Sequence, residues 1–162
     1  MKAQKFMWIL GSCLLNLWLS LPVSAADGED VTQCLQHAQT QQALNSCQIR
    51  DLKQADAELN RIYALLHKVY QDDPEFLAKL KNSQRIWIKL RDADMAMHFP
   101  AEDTAQHYGS VFPMCYSTVL TELTLQRIAY LKLWLEGIEE GDVCSGSVKR
   151  PAQIRDALEK LK

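Results

Sequence analysis

Three groups of residues in this chain have the types and spacing to do chemistry. The first is a set of polar side chains inside otherwise apolar, helix-period stretches: Asp56, Asn60 and Tyr63, then Gln84, Arg85, Trp87, Arg91 and Asp92, then Arg127. Its carboxylates are of the kind that glycoside hydrolysis uses as an acid and base pair. The second group is His98 and His107 with Asp94, Glu102 and Asp103, donors of the kind that bind a transition metal. The third is the cysteines, Cys34, Cys47, Cys115 and Cys144, with Cys13 near the start. Each group has a simpler reading. Charged and amide side chains four apart on one helical face form semi-buried networks that set helix register. Nothing in the sequence brings two carboxylates to one cleft, so the register network ranks above catalysis. Nothing fixes the geometry of the histidines and carboxylates in the connection, and no cysteine pair has the Cys-x-x-Cys spacing of a zinc site. The expectation is no metal, no cofactor and no catalytic residue.

The elements that would position these residues are helical. The chain has 162 residues, 48% of them apolar, with only 6 Gly and 5 Pro. That suits one domain with a core and disfavours a turn-rich β fold. A pI of 6.1 lacks the basic footprint of a nucleic-acid binder. Lys2 and Lys5, an apolar run from Phe6 to about Val23, and Val23-Ser24-Ala25-Ala26 read as a signal peptide cut after Ala25 or Ala26. The competing readings are an uncleaved anchor and, ranked last, a lipoprotein box at Leu10-Gly11-Ser12-Cys13. Removing residues 1–25 leaves four cysteines, an even count that reads as two disulfides in an exported chain. The expected domain covers residues 26–144. Residues 145–162 follow as a linker and a short amphipathic helix through Ile154, Leu158 and Leu161.

Leu52, Ala55, Leu59, Ile62, Leu66 and Val69 mark one helix, with Thr40 as N-cap. Asp73 and Pro74 start a second, whose core face is expected to be Phe76, Leu77, Leu80, Trp87, Leu90 and Ala93. A polar connection runs from His98 to Gly109. Ser110 is the expected cap of a third helix with Met114, Thr118, Thr121, Leu125, Ile128, Leu131 and Leu135 on its apolar face, stopped at Gly137. The fold class is all-α: an antiparallel three-helix bundle with a short C-terminal helix, stapled by disulfides. A hairpin of the first two helices would place Asp56 beside Arg91 and Tyr63 beside Gln84, with Arg127 completing the set. Continuity of the third helix makes a Cys115–Cys144 bridge strained. It favours Cys47–Cys115 and Cys34–Cys144, although local spacing alone also allows Cys34–Cys47.

The order Ala55-Asp56-x-x-Leu59-Asn60-x-x-Tyr63, then Gln84-Arg85-x-Trp87-x-x-x-Arg91-Asp92, then Thr124-x-x-Arg127 resembles the LprI-type lysozyme inhibitors, small exported helical proteins of the bacterial envelope. The resemblance spans roughly residues 34–144. Relatives commonly carry a cysteine where this chain has Met95, and some carry one where it has Ile138, so their disulfide pattern does not transfer. The resemblance implies a non-catalytic protein that binds and occludes a lysozyme-like muramidase. The alternative is a structural or adaptor protein with another envelope partner. Between Asp92 and Gln126 there is no Lys or Arg, while Asp92, Asp94, Glu102, Asp103 and Glu122 are acidic. Such a stretch complements a basic enzyme, although a solvated face would read the same way on charge alone. Asp94, Glu102, Asp103 and His107 are the expected partner-binding residues.

Overall fold

The computed structural model describes residues 30–161, so the expected signal segment and Cys13 lie outside the described residues. Helix α1, Val31–His37, is capped by Asp30, whose carboxylate accepts the Thr32 N–H at 3.2 Å. The chain then turns back, and the Thr40 hydroxyl accepts the Ala43 N–H at 3.1 Å to start α2, Gln41–Val69. Asp73 caps α3, Pro74–His98, with Pro74 in the first turn, where its missing N–H costs nothing. The polar connection contains a short helix, α4, Thr104–Tyr108, capped by Asp103. Helix α5, Phe112–Glu136, ends at Gly137, and α6, Pro151–Glu159, closes the chain. Ser110 does not cap α5. A 3-10 turn over Gly109–Val111 runs directly into the helix, so the Phe112 N–H is satisfied by the Gly109 carbonyl, and the Ser110 carbonyl accepts the Asn45 side-chain amide instead.

All described elements are helical. Asn45 meets Ser110 at one end, and the Tyr70 hydroxyl donates to the Trp134 carbonyl at the other, so α2 and α5 run side by side in the same direction. Arg127 reaches Ser83 and Gln84, while Phe99 touches Phe112, so α3 runs opposite to α5. The close approach is between α2 and α5. It is possible because α5 buries Ser117, Thr121 and Thr124, small residues that admit the facing helix. The Thr124 hydroxyl donates to the Leu120 carbonyl within its own helix, which removes the penalty of burying it. Helix α3 instead presents Phe76, Leu77 and Trp87 to the core, and these large side chains hold its backbone away. The core comprises Leu59, Ile62, Leu66, Val69 and Tyr70 of α2, Leu80 of α3, Ile128 and Leu131 of α5, and Ile154 of α6.

Three expected core positions are corrected: Leu90, Ala93 and Leu125 are exposed, Leu90 and Leu125 at 57% and 51%. Met95 takes the buried place on α3, and Arg127 joins the buried face of α5. On α3 the cause is a backbone that lies nearer α5 than α2, so only the Phe76, Leu77, Leu80 and Trp87 part of the expected stripe reaches the core.

The disulfide pairing is also corrected. Cys34 bonds Cys47, with Cα atoms 5.8 Å apart, and Cys115 and Cys144 are free. Helix α1 folds back onto the first turns of α2, which brings these neighbours together. Neither Cys47–Cys115 nor Cys34–Cys144 forms. The unbroken α5 keeps Cys115 in its first turn, far along the helix from the loop that carries Cys144.

The last segment docks firmly. Lys149 donates its backbone N–H to the Tyr70 hydroxyl at 3.1 Å, and its ammonium reaches the Val69 carbonyl and Asp72 at 3.0 and 2.6 Å. Ile154 is then 3% exposed. Tyr70 was absent from the expected core, although it follows Leu66 by four residues on the same face.

Glu58 ties α5 to α2. It accepts from Arg61 at 2.6 and 2.9 Å and pairs with Lys132 at 3.2 Å. These bonds, Arg61 foremost, lower its pKa from the usual 4.5 to about 2. A lowered carboxylate pKa stabilises the fold above about pH 4.5 and loses that contribution as pH falls toward 2. The site is partly exposed, so the expected loss is about 0.5–1 kcal/mol. Urea melts at pH 6 and pH 2.5 check this: the difference should shrink in Glu58→Gln, and an unchanged difference would remove Glu58 as its source.

Candidate functional site

Two regions gather the polar residues, one along the α3/α5 contact and one in the connection around α4. Along α3/α5, Arg127 is only 7% exposed. Its Nε donates to Gln84 Oε1 at 2.9 Å and its Nη2 to Ser83 Oγ at 3.0 Å. Its guanidinium carbon lies 5.8 Å from the Trp87 ring centroid and 5.4 Å from that of Tyr130. Arg91 approaches the same Trp87 ring at 5.2 Å and bonds Asp92 through Nε and Nη2 at 3.1 and 2.9 Å. Burial pushes the Arg127 pKa down.

The structure therefore brings together Gln84, Trp87, Arg91, Asp92 and Arg127. It does not bring Asp56 to Arg91: Asp56 is half-buried on α2 and forms no ion pair among the described residues. Tyr63 tilts against the His67 ring at 4.7 Å and packs on the core, and no hydrogen bond joins it to Gln84. Asn60 and Arg85 are exposed. The hairpin geometry failed because the α3 backbone lies closer to α5 than to α2, with α3 meeting α2 through large core side chains such as Phe76 and Leu80. Ser83 and Tyr130 were not singled out in the sequence. Ser83 precedes the Gln84-Arg85 pair, and Tyr130 lies three residues beyond Arg127, so each is a near neighbour of a motif residue on its own helix.

In the connection, five aromatic contacts build a small separate core. Phe99 packs on Tyr108, Phe112 and Tyr116 at 5.5, 5.3 and 5.8 Å. Tyr108 stacks on Phe112 at 5.4 Å, and Phe112 meets Tyr116 at 5.5 Å. The Tyr108 hydroxyl accepts the Ala101 N–H at 3.2 Å. The segment bearing Glu102, Asp103 and His107 is thus ordered although all three are exposed. Asp94 stands apart from them, on the wall of the α3/α5 groove. Glu122 is on α5, so the acidic run is not one continuous face. His98 tilts against Phe99 and His107 against Tyr108. Among the described residues no group of three or more His, Cys, Asp or Glu is placed to hold a metal ion, and no helix is long and apolar enough to cross a membrane.

An all-helical domain with one local disulfide, a buried arginine network and an ordered acidic connection defines a class of small disulfide-bonded α proteins. Residues 32–131 match the family described as "Lysozyme inhibitor LprI", and the chain belongs to that family. It is similar to an uncharacterized protein of Rhizobium meliloti (strain 1021), 38% identical over 114 residues that cover 63% of this chain and 78% of the relative. No solved structure matches the chain.

Proposed function

We propose that this protein is a non-catalytic binding protein, exported to the periplasm or beyond the cell, that occludes the cleft of a basic lysozyme-like muramidase. Membership of a family described as lysozyme inhibitors supports the partner class. The Cys34–Cys47 bond supports an oxidising compartment. The observation that carries the reading is the connection: exposed, acidic, free of Lys and Arg, and held in shape by Phe99, Tyr108, Phe112 and Tyr116. A preformed acidic surface loses little entropy on binding and steers a cationic partner toward it. Glu102, Asp103 and His107 form the contact surface, and no residue performs chemistry on substrate.

The test is binding and inhibition against several lysozyme classes. The double variant Glu102→Gln, Asp103→Asn removes two charges while asparagine still caps α4. Association with the muramidase should slow by about three- to tenfold at low salt, and the difference should vanish at high salt. Absence of binding to every lysozyme class would sink the reading in favour of an adaptor with another partner. Peptidoglycan turnover by the protein alone would replace it with a hydrolase.

A further inference from the structure

The groove between α3 and α5 contains a buried cation with no anion of its own. Arg127 lines this groove, about 320 Å³ in volume, together with Trp87, Leu90, Leu123 and Tyr130. Both of its side-chain acceptors, Gln84 and Ser83, are neutral, and no carboxylate of the described residues pairs with it. A guanidinium carries more N–H donors than these two bonds use. Taking a charge out of water without a counter-ion is costly, and the lowered Arg127 pKa reflects that cost. The rings of Trp87 and Tyr130 offset part of it by cation–π attraction and hold the guanidinium in place. Arg91, on the same Trp87 ring and paired with the exposed Asp92, sets a second guanidinium at the groove edge.

The walls narrow the ligand further. Leu90 and Tyr130 are more than half exposed, so apolar surface lies open to solvent beside the cation. Asp94 lines the same groove. Its carboxylate disfavours a polyanion such as a phosphate ester and accepts a hydrogen bond from a hydroxyl or amide.

We propose that this groove binds a single carboxylate carried on a small ring or short aliphatic frame, with Arg127 as its buried anchor and Arg91 as its second cation. Charge-assisted hydrogen bonds from the free guanidinium N–H groups meet the carboxylate, and Trp87, Leu90 and Tyr130 cover the frame. The site stands apart from the acidic connection, so it does not depend on the muramidase reading.

Two matched pairs of probes test it on the purified chain, followed by the NMR resonances of the Trp87 indole and the Arg127 Nε–H. Glucuronate is compared with glucose, and an N-acetyl glutamate amide with the glutamine counterpart. In at least one pair the carboxylate member should bind about tenfold more tightly than its neutral partner. The pair that responds identifies the frame: the first a sugar acid, the second an acidic side chain, and equal responses a site that reads the carboxylate alone. Arg127→Lys should weaken binding by about tenfold because a point charge replaces the planar fork. Arg91→Gln, at the groove edge and paired only with the exposed Asp92, should weaken it a few-fold and keeps the test open if the Arg127 variant fails to fold. No saturable shift with either carboxylate at about 10 mM, equal binding of the neutral partners, or Arg91→Gln binding like the parent chain would overturn the proposal.

Discussion

Gly137→Ala is expected to lower the melting temperature by about 10 °C, corresponding to roughly 3 kcal/mol in a domain of this size. The residue has φ 82° and ψ 177°, a region that is essentially reserved for glycine and costs about 1–3 kcal/mol for other residues. A Cβ there would also lie 2.8 Å from the Lys149 carbonyl oxygen, 2.9 Å from the Pro151 nitrogen and 2.9 Å from Ile154 Cδ1. Two of these atoms are backbone, so relief requires α6 to move, and Ile154 then leaves the core. Gly109 is the control: it has φ 68°, but nothing lies within 4 Å of its added Cβ, so Gly109→Ala should cost only the backbone strain. Amide exchange in Gly137→Ala should rise through residues 149–159 well before the rest of the chain. Equal melting temperatures in the two variants would show that α6 docking does not depend on this close approach.

The second large effect comes from the disulfide. Replacing Cys34 and Cys47 together by alanine is expected to destabilise by about 2–3 kcal/mol, the range for a bridge that closes a short loop. The two cysteines are 13 residues apart. Helix α1 has 7 residues and buries none of them, too short to persist in water without its tether. Exchange protection should therefore fall first in α1 and at the start of α2. Peptide mapping without reductant should recover a Cys34–Cys47 peptide. Thiol titration of the chain lacking residues 1–25 should find two reactive groups, Cys144 fast because it is exposed and Cys115 slow because it is half-buried. A mapped Cys47–Cys115 or Cys34–Cys144 peptide would refute the pairing.

How much of the site was legible follows from the range of the interactions. Gln84, Trp87 and Arg91 meet because helical spacing places them on one side of α3, and that spacing is written in the sequence. Arg127 joins them from 43 residues away through its bond to Gln84. Its presence among apolar residues of α5 made it a candidate. Its partner was not deducible, because that depends on which helix α3 leans against. Asp56 illustrates the same limit from the other side. A correct helix, a correct turn at Asp73-Pro74 and a correct direction still placed it beside the wrong neighbour, since the large side chains of α3 keep it away from α2.

The sequence by itself determined α2, α3, α5 and α6, the Thr40 and Asp73 caps, the Gly137 stop and the family, because each rests on contacts within a few residues or on a motif order, whereas the short α1 and α4 were not foreseen. Thr40, Asp73 and Pro74 act on their own first turns, so their effect needs no tertiary partner. The tertiary structure alone decided the rest. It placed α5 between α2 and α3 through the small residues Ser117, Thr121 and Thr124. It turned Leu90 toward solvent, drew Cys34 onto Cys47, and buried Arg127 beside neutral acceptors. Those outcomes depend on how side-chain volumes sum across helices far apart in the chain, a quantity that hydrophobic periodicity along one helix does not contain.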